Sequence, residues 1–470
     1  MAGTQARTGS RPAAGEHLGH VIFIAAAAAM GGFLFGYDAS VINGATMAIQ
    51  DQFSLSSGQL AQVVATSLLG CAVGAALAGR MADRIGRIRV MQISAVLFAV
   101  SAVGSALCFG AWDLVLWRVL GGLATGMASV IGPAYIAEVA PPAYRGRLAS
   151  FQQAAIVLGI ATSQLVNWAI IEAADGQQRG QIAGLEAWQW MLAVMVVPAV
   201  VYGLLSFAIP ESPRFLVSVG RLTEARRVLA DIEAAPETLD ARVHEIQQSL
   251  KSDHKPTFKD LRDRNFGLKP VVWIGIGLAA FQQLVGINVI FYYSSMLWQS
   301  VGIDPSSSFF YSFETSLVNI VGTVIAMTLV DRIGRRPLLL FGSVGMTLSL
   351  AVCAWAFSYQ NAAGILPSLQ GTVALIAANV FVLCFATSWG VVMWVLLGEM
   401  FPSRIRAAAL GLGAAVNWIA NWLVTVTFPG MSEWNLSLSY IFYAVFAGLS
   451  ILFVLKFVPE TKGKALEEMG

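Results

Sequence analysis

The sequence predicts an all-α integral membrane protein of twelve transmembrane helices, arranged as two six-helix bundles related by pseudo-symmetry. Three observations carry this expectation. The 470-residue chain is 57% hydrophobic and 12% charged, with a mean hydropathy of +0.68, whereas soluble domains hold about 25% charged residues. Its apolar residues come in runs of span length. Short loop motifs that follow the first runs return, in the same order, in the second half.

The apolar runs lie near residues 21–43, 59–79, 90–110, 114–136, 148–170 and 189–209, and again near 271–293, 311–330, 338–358, 373–397, 407–427 and 437–457. A spanning helix needs about 20 apolar residues. In lipid only helices or closed barrels satisfy their own backbone, and runs this long lack the two-residue alternation of a barrel strand. The first run is too long, and too polar at its end, for a cleavable leader. Basic residues set the orientation. With the loop after the second run taken as cytoplasmic, all 29 Lys and Arg residues fall inside except Arg179, in an outer loop, and Arg118, within the fourth run.

Both termini are therefore expected in the cytoplasm. The chain divides into a tail (1–18), a first six-helix bundle (19–209), a polar linker (210–268), a second bundle (269–457) and a short tail (458–470). Within the linker, RLTEARRVLADIEA and LDARVHEIQQSL show the apolar spacing of short amphipathic helices, with Thr223 placed to cap the first. Cys71, Cys108, Cys353 and Cys384 all sit in apolar runs and read as small packing residues, with no metal or disulfide spacing.

Three loop signatures repeat. GRMADRIGR (79–87) is answered by DRIGRR (331–336), AEVAPPAYRGR (137–147) by GEMFPSRIR (398–406), and PESPR (210–214) by PETKG (459–463). Matched order implies a duplicated unit, and such repeats place a substrate site near the midplane between the halves. Basic loops alone require no acids. Here Asp83, Arg84, Arg87, Glu138, Arg145, Glu211 and Arg214 are matched by Asp331, Arg332, Arg335, Glu399, Arg406 and Glu460. These residues are the candidate cytoplasmic gate. Ion pairs across the two bundles are expected to lock that side while the outside is open, biasing two states a few kcal/mol apart.

PESPR, the doubled DRxGR loops, QQLVGINVIFYY (282–293) and the terminal PETKG resemble the sugar porter branch of the major facilitator superfamily, over roughly residues 20–470. The sequence as a whole is similar to bacterial glucose permeases. The resemblance implies the major facilitator fold, alternating access and a monosaccharide substrate. Buried amides are costly without partners, yet amides both donate and accept, as sugar hydroxyls require. By the resemblance, Gln153, Gln282, Gln283, Asn288, Asn319, Trp394 and Asn421 match sugar-contacting positions, Asn417 and Trp418 match two more, and Tyr292 joins the seventh-helix set. Gln283 and Asn288 lie about 140° apart on an unbroken helix, so a bend at Gly286 is expected to bring both to one cavity. The tenth run carries Gly390 but no proline, which departs from many family members.

Two ionisable residues stand out inside spans, Asp38 in FLFGYD and Arg118 in LVLWRVLGG, whereas Glu314 is expected at the outer end of its helix, facing solvent. Intramembrane charges usually face a cavity and pair with one another. Burial favours the neutral form of an acid and a nearby guanidinium favours the charged form. The family's proton-coupled symporters carry Asp at this position and its passive facilitators carry Asn, so the resemblance implies proton coupling through Asp38 and Arg118. The expected function is proton-coupled glucose symport, with a passive uniporter, a carrier of galactose or xylose, and a non-transporting sugar sensor as alternatives.

No phosphate loop, HExxH motif or histidine cluster points to an enzyme. The expected partners are a monosaccharide, protons and the lipid bilayer. No cofactor, metal or nucleic acid is called for, and the chain is expected to act as a monomer.

Overall fold

The computed structural model describes residues 18–141, 145–232, 239–252, 258–263, 267–361, 363–402 and 405–461. Arg404 and residues 1–17 and 462–470 lie outside them, as do the side chains of Arg145, Arg147 and Asp331. The first half is built from helices Leu18–Val41, Ser57–Ile85, Arg87–Ala106, Ala111–Val139 and Arg145–Ala173, with a sixth span broken into Ala187–Ala193 and Val196–Ala208. The second half has a seventh span broken into Pro270–Leu284 and Ile287–Ser300, then Pro305–Ile333, Arg335–Phe357, and a tenth span broken into Ser368–Ala386 and Trp389–Met400.

The last helical stretch runs from Arg406 to Phe457. At 1.5 Å per residue its 52 residues would reach about 78 Å, far beyond the roughly 30 Å hydrocarbon core. It doubles back at Asn435, whose backbone is extended (φ −164°, ψ 109°) six residues after Pro429. The Asn435 side chain accepts from the Leu438 amide at 2.9 Å, as an N-cap does. Arg406–Phe457 is therefore the eleventh and twelfth crossings, and the twelve spans expected from the sequence are all present.

Between the halves lie Pro213–Ser218, Leu222–Ile232 and Leu239–Ser252. The middle one buries Ala225, Val228, Leu229 and Ile232, the i, i+3, i+4, i+7 stripe of an amphipathic helix. Thr223 lies inside it and is not its cap: the helix already begins at Leu222, and Ala225 donates its amide to the Arg221 carbonyl.

The repeated loops build one cluster in each half. Arg87 donates through Nε and Nη2 to Glu138 at 3.0 and 2.8 Å and through Nη1 to the Ala82 carbonyl. Glu211 accepts from the backbone amides of Arg87 and Ile88, at the start of the third span. In the second half, Arg335 donates to Glu399 at 2.9 and 2.6 Å and to the Val330 carbonyl, while Glu460 accepts from the amides of Arg335 and Arg336. A hydroxyl completes each cluster, Ser212 on Glu138 and Thr461 on Glu399.

The glycine of each DRIGR loop is required twice over. Gly86 and Gly334 have φ of +97° and +111°, and a Cβ there would meet Glu211 at 2.3 Å and Glu460 at 2.8 Å. With ψ of 163° and 165° the two sit in a backbone region that glycine almost alone adopts, and a side chain pays about 1–3 kcal/mol to hold it. Gly86→Val and Gly334→Val are each expected to lose that much and to expel the capping acid. Thermal unfolding in detergent checks this, as a lowered midpoint for both variants.

These pairs lie within a half; the pairing across the two bundles is expected of the state open on the opposite face, and this structure is closed there. In this state each cluster staples its own spans together. The halves are joined at the opposite ends of the spans. There Asn43, just past the first span, donates to Gln164 at 3.2 Å and to Ser294 of the seventh span at 3.1 Å. It accepts from the Ser295 amide and hydroxyl, the latter 2.6 Å from the Asn43 carbonyl. Glu433 pairs with Ser57 and Glu172 with Ser306 across the same seam, and Trp168 stacks on Phe313. The molecule is closed at the face opposite the arginine-rich loops.

Candidate functional site: an amide cluster beside a buried ion pair

The seventh span breaks at Gly286, which is left-handed (φ 85°, ψ 21°). A side chain there would strike the Tyr443 ring, 2.8 Å from the position of a Cβ. The break swings Asn288 back onto Gln283, to whose Oε1 it donates at 2.5 Å, so the two amides meet as the bend expectation required. Gln283 donates to Asn417 Oδ1 at 3.1 Å. Asn417 donates to Gln282 Oε1 at 2.7 Å and to the Ala279 carbonyl. Gln282 donates in turn to the Trp389 carbonyl at 3.0 Å. One turn further along the eleventh span, Asn421 donates to the Tyr292 hydroxyl at 3.4 Å and accepts from Thr425.

The tenth span breaks without proline. Ser388 has a non-helical backbone (φ −135°, ψ −91°), and the Thr387 and Ser388 hydroxyls donate back to the Leu383 and Cys384 carbonyls at 2.9 and 2.6 Å. Such back-bonding competes with the helical ladder.

Asp38 and Arg118 form an ion pair. Arg118 Nη1 donates to Asp38 Oδ1 at 2.9 Å, and the two side chains are 3% and 4% exposed. Thr125 donates to the other carboxylate oxygen at 3.3 Å, and Arg118 Nη2 donates to the Ser67 hydroxyl. Nε of Arg118 is buried and without a partner. The pair lines a pocket with Phe35, Cys71, Tyr292 and Trp418. Its free space is about 10 Å³, room for about one water and not for a sugar. Tyr292 and Trp418 belong to the second half, so the ion pair and the amide cluster share one wall.

The remaining candidates are placed differently. Asn319 is buried, Gln153 is half-buried and Trp394 is 39% exposed, and none of the three makes a side-chain hydrogen bond among the described residues. Trp418 lies 5.7 Å from Phe35 of the first half, ring centre to ring centre. Phe35 was not singled out from the sequence, although it stands one helical turn before Asp38 and so on the same face.

Among the gate candidates, Asp83 is largely exposed and 3.5 Å from Arg87. Arg84 and Arg332 are exposed, Arg214 lines a groove beside Glu138, and Arg406 donates to the Phe401 carbonyl at 3.1 Å.

Comparison with known proteins agrees with this geometry. The family model described as sugar (and other) transporter matches residues 24–470. A glucose transport protein of Synechocystis sp. is 49% identical over 96% of this chain and 97% of its own. The xylose transporter XylE from E. coli, in a partially occluded inward open conformation, superposes with a TM-score of 0.81 at 34% identity, over 95% of this chain and 100% of that one. The major facilitator superfamily proton:xylose symporter XylE bound to 6-bromo-6-deoxy-D-glucose superposes with a TM-score of 0.77 at 36% identity, over 96% and 98%. Twelve spans in two pseudo-symmetric halves, with buried amides between them, belong to no soluble enzyme: this chain is a multi-pass membrane transporter of the sugar transporter family, within the major facilitator superfamily.

Proposed function

We propose that this protein carries monosaccharides, with glucose as the principal one, across the cytoplasmic membrane by alternating access, and couples uptake to proton entry through Asp38 and Arg118. The observation that carries this reading is the shared pocket, in which Asp38 and Arg118 face Tyr292 and Trp418. The 49% identity to a glucose transport protein supports the sugar, and the likeness to a proton:xylose symporter supports the coupling. The arginine-rich face and both termini lie in the cytoplasm, as the basic residues favour.

In this reading Gln282, Gln283, Asn288, Asn417, Asn421 and Tyr292 bind hydroxyls, and the Trp418 ring packs on the sugar face. Without sugar the amides satisfy one another, so binding exchanges protein–protein hydrogen bonds for protein–sugar ones. Gln153, Asn319 and Trp394 make their contacts when the halves close on the ligand. A proton arriving from outside neutralises Asp38 and releases Arg118. Sugar then binds and the halves rock inward. Proton loss to the cytoplasm restores the pair. The structure, paired at Asp38 and sealed on its outer face, corresponds to the carrier after both have left.

The Asn43 contacts act as the latch of that seal. Asn43→Val removes hydrogen bonds worth about 0.5–1.5 kcal/mol each and is expected to shift the resting population outward. A cysteine placed in the outer half of the seventh span then reacts several-fold faster with an impermeant maleimide.

The buried, doubly hydrogen-bonded ion pair favours a second reading, a passive uniporter in which the pair only holds the first half together. Labelled glucose uptake into proteoliposomes, competed by a panel of monosaccharides with and without an uncoupler, tests both. The proposal expects glucose to compete best and the uncoupler to abolish accumulation. An uncoupler without effect supports the uniporter.

A further inference from the structure

Where the third and sixth spans approach the arginine-rich face, the surface holds a groove of about 380 Å³. Its lining mixes Arg84, Arg89 and Arg221 with apolar side chains, Ile88, Phe207 and Phe215 among them. Arg221 is paired with Glu224. Arg84 and Arg89 are exposed and have no acidic partner among the described residues. The acid at the groove, Glu211, is already spent on the amides of Arg87, Ile88 and Ser212. Two guanidiniums without an acidic partner among the described residues therefore face a groove whose one acid is already hydrogen-bonded to backbone amides.

The groove continues into the bilayer. Phe207 is 76% exposed, and above it Leu204, Val200 and Val197 of the sixth span form an exposed apolar strip beside Val96 and Val100 of the third. A soluble anion has no use for such a strip. A phospholipid uses both features, with its phosphate on the guanidiniums and an acyl chain along the valines. Basic pockets between membrane helices bind anionic head groups, and planar guanidinium suits phosphate oxygens.

We infer that this groove is a binding site for one anionic phospholipid, of the phosphatidylglycerol type, in the leaflet at the arginine-rich face. The head group lies beside the third-span N-terminus that Glu211 caps, so lipid binding stiffens the first-half cluster of Arg87, Glu138 and Glu211.

The test is native mass spectrometry of the full chain released from nanodiscs of mixed phosphatidylethanolamine and phosphatidylglycerol. Wild type is expected to keep one phosphatidylglycerol in preference to phosphatidylethanolamine. Arg84→Gln/Arg89→Gln is expected to hold it roughly 25-fold more weakly, about 5-fold for each charge lost. Arg84→Lys/Arg89→Lys keeps both charges and is expected to keep the lipid. The inference is overturned by a glutamine variant that retains the lipid as wild type does, or by a lysine variant that loses it equally. It is also overturned if millimolar inorganic phosphate displaces the lipid, since the groove is then a site for free anions.

Discussion

Asp38→Asn is expected to stop accumulation of sugar against a gradient while leaving exchange across the membrane intact. Among the described residues the carboxylate is the only acid in contact with Arg118, at 2.9 Å, in a pocket with space for about one water. An amide keeps the shape and its single oxygen can still accept from Arg118, while its NH2 takes the place of the oxygen that accepted from Thr125; it cannot take up and release a proton. Removing one member of a buried pair leaves the other charge uncompensated, at a cost of about 3–5 kcal/mol. The variant is therefore also expected to unfold at lower temperature than wild type. Counterflow of labelled glucose into vesicles preloaded with unlabelled glucose separates the two effects. It should persist in Asp38→Asn, while proton-driven accumulation falls to the level of simple equilibration. Accumulation at the wild-type ratio would remove Asp38 from the coupling step.

Gln283→Ala is expected to weaken sugar binding by about 10- to 100-fold and to lower the unfolding temperature. Gln283 sits at the centre of the amide cluster, accepting from Asn288 and donating to Asn417. Its loss removes three hydrogen bonds, to Gln282, Asn417 and Asn288, at about 0.5–1.5 kcal/mol each, and frees Asn288 and Asn417 to turn away from the cavity. Sites built to hydrogen-bond hydroxyls lose affinity steeply when a partner goes missing. Equilibrium binding of labelled glucose to purified protein reads this directly. Asn319→Ala, at a buried residue outside the network, is expected to cost less in the same measurement, and an equal loss would argue that the cluster has no special part.

Much of this arrangement was legible in the chain because the bilayer restricts what a sequence can do. Runs of about 20 apolar residues have one outcome, and the gap between the runs ending near 427 and beginning near 437 marks a turn that helical geometry nearly conceals at Asn435. The repeated loops were legible as motifs, but their partners were not. Nothing local says that Glu211 reaches back to the amides of Arg87 and Ile88, 124 and 123 positions away. Nor does it say that the arginine and acid of a motif pair within one half.

Gly286 announced a bend in the seventh span because it separates two amides that a straight helix would point apart. The break in the tenth span gave weaker warning, since its cause is the pair of hydroxyls on Thr387 and Ser388. Asn43 reads as an ordinary turn residue in VINGA. Its role at the seam depends on Ser294 and Ser295, more than 250 residues later, a proximity that only the folding of two halves against each other creates. Phe35 was within reach, one turn from Asp38 on the same face of the first span.

The coupling of sugar to protons is tested most directly by proton movement itself. Purified protein in vesicles holding a pH-sensitive dye, with no imposed gradient, is given glucose, and internal pH and labelled sugar are followed together. The reading put forward for Asp38 and Arg118 expects the lumen to acidify as sugar enters, about one proton with each sugar, and expects no acidification in Asp38→Asn. Glucose entry through the unaltered protein at constant internal pH would contradict it.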